Sequence, residues 1–322
     1  MIKFETRRWY LIKEMVSYLR HLLRHNANIA TEDNIEKMQY TILRSTHIIE
    51  KGLSLRTPRK AFGKQKILAL LTQIDLYAKK YLSQSSDFIL YPLSVVAHYT
   101  EYETSIGADV SEVDSLLRKI ISQHSITLPP QIATGTQVVS KDSITSQAQG
   151  NFEQLLTSRH SIRYFSKENI STNLINKALQ LAQLTPSACN RQGWRVHIYQ
   201  GEQATQLLRW QGGARGFEDE PTMAILVSAN SRAFLKYEPF QAYVDGGLYA
   251  MNLINALHYV GLGTIPLSCG FGYRKLADLY KNFDLPQNER PITIIGVGQL
   301  ETEFKVAISA RKDINQTTTW HK

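Results

Sequence analysis

Apolar residues in the first 125 positions recur at helical spacing. The pattern is clearest in one segment, through Ile12, Met15, Val16, Leu19, Leu22 and Leu23. A second helix carries Ile35, Met38, Ile42 and Leu43, and further helices are predicted over 64–83, 87–103 and 111–123. Pro92 falls inside the fourth, so that helix should be kinked or shifted. Since no segment alternates convincingly, we predict an all-α domain over residues 1–125.

Residues 126–150 have a different composition. Pro129 and Pro130 are followed by a stretch rich in Ser, Thr, Gln and Gly. Such a stretch buries little apolar surface, and we therefore predict a linker.

From residue 151 onward, helical and strand patterns alternate. Helices are predicted near 151–159, 172–184, 202–211, 239–260 and 273–281, and strands over 196–199, 224–228, 263–267 and 292–297. The helix near 239–260 is apolar nearly all round, which indicates burial in the core. Residues 151–322 are therefore predicted to form an α+β domain, a sheet flanked by helices.

Composition and charge narrow the class of protein. The 322 residues are 43% hydrophobic and 20% charged, as in globular proteins. No apolar run reaches the ~20 residues of a membrane span, and two cysteines exclude a disulfide framework, so we expect a cytoplasmic protein without transmembrane segments. The net charge of +9 is spread over both halves. This argues against a nucleic-acid module and suits a small, anionic substrate.

The segment Arg159–Phe165 is the strongest candidate for chemistry. Its sequence R-H-S-I-R-Y-F places two guanidiniums, an imidazole and a hydroxyl within five residues, a donor set suited to a phosphate and a polar heterocycle. By itself, the segment is equally compatible with a solvated charged loop. G-x-S-x-G, P-loop, complete G-x-G-x-x-G and H-E-x-x-H motifs are missing from the sequence. We predict neither a catalytic nucleophile nor a metal site.

The pattern R-H-S-x-R-x-F resembles the opening motif of the nitroreductase family of FMN enzymes. Four further segments resemble that family in order and spacing: Thr185–Trp194, Pro266–Phe271, Gly296–Gly298 and Arg311. The resemblance covers about 151–322 and implies a nitroreductase-like FMN-binding sheet preceded by the helical domain.

The resemblance also implies roles for individual residues. Arg159, His160 and Ser161 would bind the FMN phosphate and ribityl chain, with Arg311 closing on the phosphate. Arg163 would approach the pyrimidine end of the flavin, where a cation stabilises the charge of reduction. Further FMN contacts would come from the partner subunit of a homodimer: Pro186, Ser187, Ala188 and Asn190. Another set would pass the flavin edge: Ser268, Cys269 and Gly270. Arg215 is a further candidate contact.

The implied reaction is ping-pong reduction of a small nitro, quinone-like or specialised acceptor, with NADH or NADPH as donor. Two departures from the family pattern concern the substrate pocket: Gly193 replaces the usual proline, and Cys269 stands where relatives carry an acidic or small residue. One alternative is an FMN-dependent oxidase, dehydrogenase or dehalogenase on a specialised substrate tied to polysaccharide synthesis. Another is a non-catalytic scaffold module.

Three features have two interpretations each. Cys189 and Cys269 are either redox-active or, as we favour, small fillers. The basic stretch Lys51–Lys66 is either an anion site or a solvated loop. The first helix, with Trp9 and several cations, either packs on its own domain, as we favour, or lies on a membrane surface. The helix over 243–260, with Gly246, Gly247 and Ala250, is expected in both the core and the dimer interface.

Overall fold

The computed structural model describes residues 2–25, 34–129, 134–235 and 238–321. Contacts divide the chain into two compact units, which differ from the predicted domains at their boundaries. One unit comprises Met1–His21 with Val138–Phe304, and the other comprises Leu22–Gln137 with Lys305–Lys322. Most of the first helix therefore groups with the sheet, and the C-terminal segment groups with the helices.

The helical elements of the first 125 residues follow the predicted pattern. They are α1 (Ile2–His25), α2 (Ile35–Leu53), α3 (Lys64–Tyr81), α4 (Leu90–Ser105) and α5 (Ser111–Gln123). Pro92 lies in the first turn of α4, where its missing N–H is tolerated. The helix is accordingly shifted, as predicted, and a 3₁₀ turn at Asp87–Ile89 precedes it. The core of this unit contains the fully buried Leu71, Tyr77 and Tyr99.

The basic stretch Lys51–Lys66 is fixed to this helical core. The Phe62 ring lies edge-on to the Tyr99 ring at 5.2 Å, and Tyr99 donates to the Phe62 carbonyl at 3.0 Å. The buried carboxylate of Glu103 accepts the Ala61 N–H at 2.7 Å. Lys64 pairs with Glu112 at 2.9 Å. The aromatic residue of the stretch thus serves packing, and whether the stretch binds an anion stays a prediction.

The other unit contains a four-stranded antiparallel sheet in the order β2-β3-β5-β4. Its strands are β2 (Trp194–Gln200), β3 (Met223–Asn230), β4 (Leu262–Ser268) and β5 (Glu289–Gln299). Its helices after the first are α6 (Lys141–Ala148), α7 (Phe152–Ser158), α8 (Thr172–Ala182), α9 (Glu202–Gln211), α10 (Gln241–Tyr259) and α11 (Tyr273–Asn282). Side chains of α8, α10 and the sheet form its core. The predicted α+β class is confirmed.

The predicted linker is not structureless. Residues 134–150 contain the strand β1 (Thr136–Ser140) and the helix α6, and Ile144 and Ala148 of α6 are buried. The Ser140 hydroxyl caps α6 by accepting the Ser143 N–H. Polar composition hid the two apolar residues that hold this segment in place. Pro130 lies outside the described residues. A further strand, β6 (Glu303–Ala307), follows β5.

The helix α10 is buried on one side only. Tyr249, Leu253 and Leu257 lie in the core, but a second set of apolar side chains is between 41% and 52% exposed: Tyr243, Val244, Leu248 and Met251. The expected place of this helix in the core is confirmed for one side, and its place in a dimer interface stays a prediction. Among the described residues, no helix has the length and apolar character needed to cross a membrane.

Candidate functional site

The motif Arg159–Phe165 runs along the outer edge of the sheet. Ser161 forms a parallel bridge with Thr264 of β4, and the Ile162 N–H donates to the Thr264 carbonyl at 2.8 Å. Because β4 is an edge strand, its outward backbone groups are available for this pairing. The bridge places Ser161 and Arg163 beside the strand that ends at Ser268, so two predicted site segments are brought together.

Phe165 anchors the motif in the core. Its ring is fully buried against Gly263 and Gly298, and a Cβ at these glycines would lie 3.0 and 2.5 Å from ring atoms of Phe165. The Phe165 N–H donates to the Glu220 carboxylate at 3.3 Å. The predicted glycine motif at 296–298 therefore makes room for a side chain of the opening motif.

Arg163 is a buried cation. Only 3% of its surface is exposed, its guanidinium lies 6.0 Å from the centre of the Phe217 ring, and one of its N–H groups reaches the Ser161 carbonyl at 3.5 Å. A guanidinium stays protonated in any protein environment. The site beside β4 therefore carries a fixed positive charge with little solvent to screen it.

Arg159 and His160 lie near the C-terminal end of α10. The Ser158 hydroxyl is hydrogen-bonded to Nε2 of His258 at 2.8 Å. Burial, with smaller contributions from the neighbouring Arg159 and His160, lowers the pKa of His258 to about 4. His258 is therefore neutral near pH 7. The guanidinium of Arg159 beside it supplies a positive charge suited to an anion.

The end of β4 forms a short hydrogen-bonded turn. The Ser268 hydroxyl accepts the Gly270 N–H at 3.0 Å, and the Ser268 carbonyl accepts from the Gln211 side chain at 2.9 Å. The Gly270 N–H is thus already used within the turn. Gln211, at the end of α9, was missed from the sequence because nothing in its local pattern marks it.

Cys269 follows Ser268 in this turn. Burial raises the pKa of its thiol to about 12, so the thiol is protonated near pH 7. Thiolate is the reactive form of cysteine, and this environment disfavours it. The finding fits the interpretation of Cys269 as a small filler, while Cys189 is exposed.

The segment 186–192 is a loop with an unusual backbone. Cys189, Asn190 and Gln192 all have φ near +50°, a conformation that costs energy for residues other than glycine. The buried carboxylate of Asp245 on α10 accepts the Ala188 N–H at 3.2 Å, and Ser187 accepts the Gln192 N–H at 2.9 Å. Together these contacts hold the loop in place. Pro186 at its start is exposed.

A bidentate ion pair braces the same loop. Arg191 donates to both oxygens of Glu238 at 2.7 and 2.8 Å and lies 5.3 Å from the Phe234 ring centre. Hydrogen bonding from Arg191 holds the pKa of Glu238 at about 2. A Cβ at Gly193 would lie 3.0 Å from the Phe234 ring, so a proline there would require the ring to move. The departure from the family's proline thus has a packing explanation.

Two positioning carboxylates, Asp245 and Glu238, were not predicted as part of the site. An acidic residue inside the otherwise apolar helix near 243–260 was the signal for Asp245, since a buried carboxylate needs hydrogen-bond donors. Glu238 had no such signal, because its partner Arg191 is 47 residues away.

Arg215 and Arg311, the last two residues predicted to contact FMN, belong to different units. Arg215 is exposed on a turn whose neighbours Ala214 and Phe217 are buried. Phe217 lies under Arg163, which associates this turn with the β4 edge. Arg311 instead groups with the helical unit, where it lines a cavity of about 430 Å³ with residues of α2 and α4 such as Tyr40 and Tyr91. Its predicted contact with phosphate stays a prediction.

Residues 156–213, which include the opening motif and the 186–192 loop, match the family model described as "Nitroreductase family". This match confirms the resemblance read from the sequence.

Two relatives and one solved structure that resemble part of the chain are the following. A protein of Archaeoglobus fulgidus described as an NADH dehydrogenase/NAD(P)H nitroreductase is 25% identical over 47% of this chain and 86% of its own length. A 4-nitrobenzoate reductase of Pseudomonas putida is 36% identical over 16% of this chain and 23% of its own length. A solved nitroreductase from Desulfovibrio desulfuricans in complex with FMN aligns at a TM-score of 0.45 and 19% identity, covering 53% of this chain and 96% of that protein.

Proposed function

We propose that this chain binds FMN along the β4 edge and passes electrons from NADH or NADPH to a small organic acceptor in one shared space, by a ping-pong sequence. The match to the nitroreductase family model supports an FMN-dependent oxidoreductase that uses NAD(P)H. We propose in particular where FMN binds, in which order the two half-reactions occur, and which class of acceptor is reduced. The bridge between Ser161 and Thr264 carries this proposal, because it places the opening motif beside the strand ending at Ser268.

The donor set along this edge fits FMN. Arg159, His160 and Ser161 supply cationic and hydroxyl donors of the kind that bind a phosphate and a polyol chain. The guanidinium of Arg159 is a permanent positive charge, which favours a phosphate group. The three residues would hold the phosphate and ribityl parts.

Arg163 would act at the other functional part of the cofactor. When bound, FMN supplies the two-electron transfer itself. The buried guanidinium of Arg163 provides a permanent positive charge in a poorly screened place, where it stabilises negative charge on the pyrimidine side. The turn Ser268–Gly270 would lie along the ring edge, with Cys269 as a neutral, small side chain.

We further propose that the working form is a homodimer. The exposed side of α10 presents apolar side chains that a second copy would cover, among them Val244, Leu248 and Met251. The Asp245 carboxylate on the same helix fixes the 186–192 loop. If a second copy packs on this side of α10, the attached loop would lie next to the partner's flavin. The loop residues that would contact it are Pro186, Ser187, Ala188 and Asn190.

Steady-state kinetics test the proposed order of events. Rates are measured with varied NADPH at several fixed concentrations of a small quinone, and the series is repeated with NADH. A ping-pong sequence predicts parallel double-reciprocal lines, because the oxidised donor leaves before the acceptor binds. Intersecting lines would show that both bind together and would contradict one shared space.

A further inference from the structure

The helix α1 presents a broad apolar arc. At 100° per residue, described apolar side chains fall within an arc of about 160°. The members of this arc are Trp9, Leu11, Ile12, Met15, Val16, Leu19 and Leu23. Every one of them is between 40% and 63% exposed. The preferred expectation from the sequence, that α1 packs onto its own domain, therefore does not account for this arc.

One contact attaches the helix at the border of the arc. The Tyr18 ring lies 4.4 Å from the ring of Phe240, the residue that precedes α10. Tyr18 sits about 20° outside the arc, next to Leu11 on the helical wheel. The contact therefore holds α1 in place, while the side chains of the apolar arc stay about half exposed to solvent.

The helix is strongly basic. Six Lys or Arg residues and two Glu residues occur within Ile2–His25. Lys13 and Arg20 lie at the opposite border of the arc, adjacent to Trp9 on the wheel. Arg8 falls within the arc, and its long aliphatic stem allows an arginine there to place its charge at the surface. Helices that lie in a membrane interface typically carry cations at the border of their apolar arc, with a tryptophan next to those cations.

We propose that α1 is an interfacial helix that docks this protein on an anionic phospholipid surface. The apolar arc would enter the acyl boundary, and Lys13 and Arg20 would lie among the phosphate groups. Charge complementarity favours lipid over a second copy of the chain. A second copy carries the same net charge of +9, and its exposed α10 residues Tyr243, Val244, Leu248 and Met251 are uncharged. They would cover apolar surface but would bring no acidic side chain to Lys13 and Arg20.

Vesicle co-sedimentation of the full chain with FMN added tests the proposal. One vesicle type contains phosphatidylcholine alone, and the other contains equal parts of phosphatidylcholine and phosphatidylglycerol. We expect the protein to sediment with the anionic vesicles and to be released by high salt. The double variant Lys13→Glu with Arg20→Glu should lower the partition coefficient by more than about tenfold, since each cation near an anionic surface contributes several-fold.

A second pair of variants tests the apolar arc. Ile12→Asp with Leu19→Asp should abolish sedimentation, whereas Val138→Asp should leave it unchanged, because Val138 is a comparably exposed apolar residue on β1. Circular dichroism checks that each variant keeps its helix content. Light scattering on the same samples reports the number of copies per particle.

Three outcomes would overturn the proposal. The wild-type chain does not sediment with the phosphatidylglycerol vesicles, or it sediments equally with both vesicle types. In the third, the Ile12→Asp and Leu19→Asp variant changes from dimer to monomer while its vesicle binding is unaltered, which would assign the arc to a second copy.

Discussion

Phe165 and Gly298 are separated by 133 positions and are in direct contact, and the missing side chain of Gly298 is what admits the Phe165 ring. A Cβ there would lie 2.5 Å from a ring carbon, closer than side chains tolerate. Because Phe165 ends the Arg159–Phe165 motif, this contact fixes where the motif crosses the edge of the sheet. Phe165 and Gly298 are not proposed to contact the cofactor, but their packing sets the position of the motif residues that would bind it.

Substitution of Gly298 by alanine should destabilise the fold. Overpacking of a well-filled core costs about 1–3 kcal/mol, and we expect the free energy of unfolding to fall by that amount in urea titrations. Gly272→Ala is the matched control, because no atom lies within 4 Å of the Cβ it would add. Because Gly272 is the N-cap of α11, where alanine is less favourable than glycine, that variant should lose less than about 1 kcal/mol. Equal stability of the two variants would refute the packing explanation.

Removal of the buried charge at Arg163 should weaken flavin binding and slow its reduction together. We expect Arg163→Ala to lower FMN affinity by at least about tenfold, or 1.4 kcal/mol, and to slow reduction by NADPH in stopped-flow absorbance. Arg163→Lys keeps the charge without the guanidinium fork and should be intermediate. The control is Arg209→Ala, whose ion pair with Asp219 is exposed. Unchanged flavin content and reduction rate in Arg163→Ala would exclude the assigned role.

A charge on the exposed side of α10 should separate the proposed dimer. Leu248→Glu places a carboxylate where a second copy would pack, and we expect light scattering to report a monomer that has also lost FMN affinity. Flavin affinity falls because the 186–192 loop would no longer reach the partner. Ile198→Glu, at an exposed apolar position on β2, should leave both properties unchanged. A monomeric Leu248→Glu variant with full FMN affinity would show that each site is complete within one chain.

His258 should make the fold sensitive to acid. Its pKa is about 4 in the folded chain against 6.5 as a free side chain, so the unfolded state binds the proton more readily. The resulting stability is fully present above pH 6.5 and is lost as the pH falls towards 4, by roughly 3 kcal/mol in total. Urea titrations across this range, compared with His258→Gln, measure the difference. Parallel stability curves for the two proteins would exclude a buried neutral histidine.

The local elements were predictable because their patterns are local. The helices α5 and α9 span the residues that were predicted, since both have clear amphipathic spacing. The helix α10 was located correctly, and its exposed apolar side is the side that was expected to face a second copy. A helix that is apolar all round is buried either in its own core or against another chain, and sequence does not distinguish the two.

The contacts that assemble the site were less predictable because they join distant positions. The bridge from Ser161 to Thr264 and the hydrogen bond from Ala188 to Asp245 depend on tertiary packing. Family resemblance located the segments but not these contacts. The resemblance also marked Arg311 as a cofactor contact, and because Arg311 groups with the helical unit, this contact stays a prediction.

Whether the chain binds FMN and accepts electrons from a nicotinamide donor is tested by anaerobic titration of the purified, FMN-loaded protein with NADH and then NADPH, while the flavin absorbance is followed. We expect a yellow protein whose flavin band is bleached by about one equivalent of a donor per flavin and restored by a small quinone. A protein that takes up no FMN, or one whose bound flavin neither donor bleaches, would show that the chain is not such an oxidoreductase.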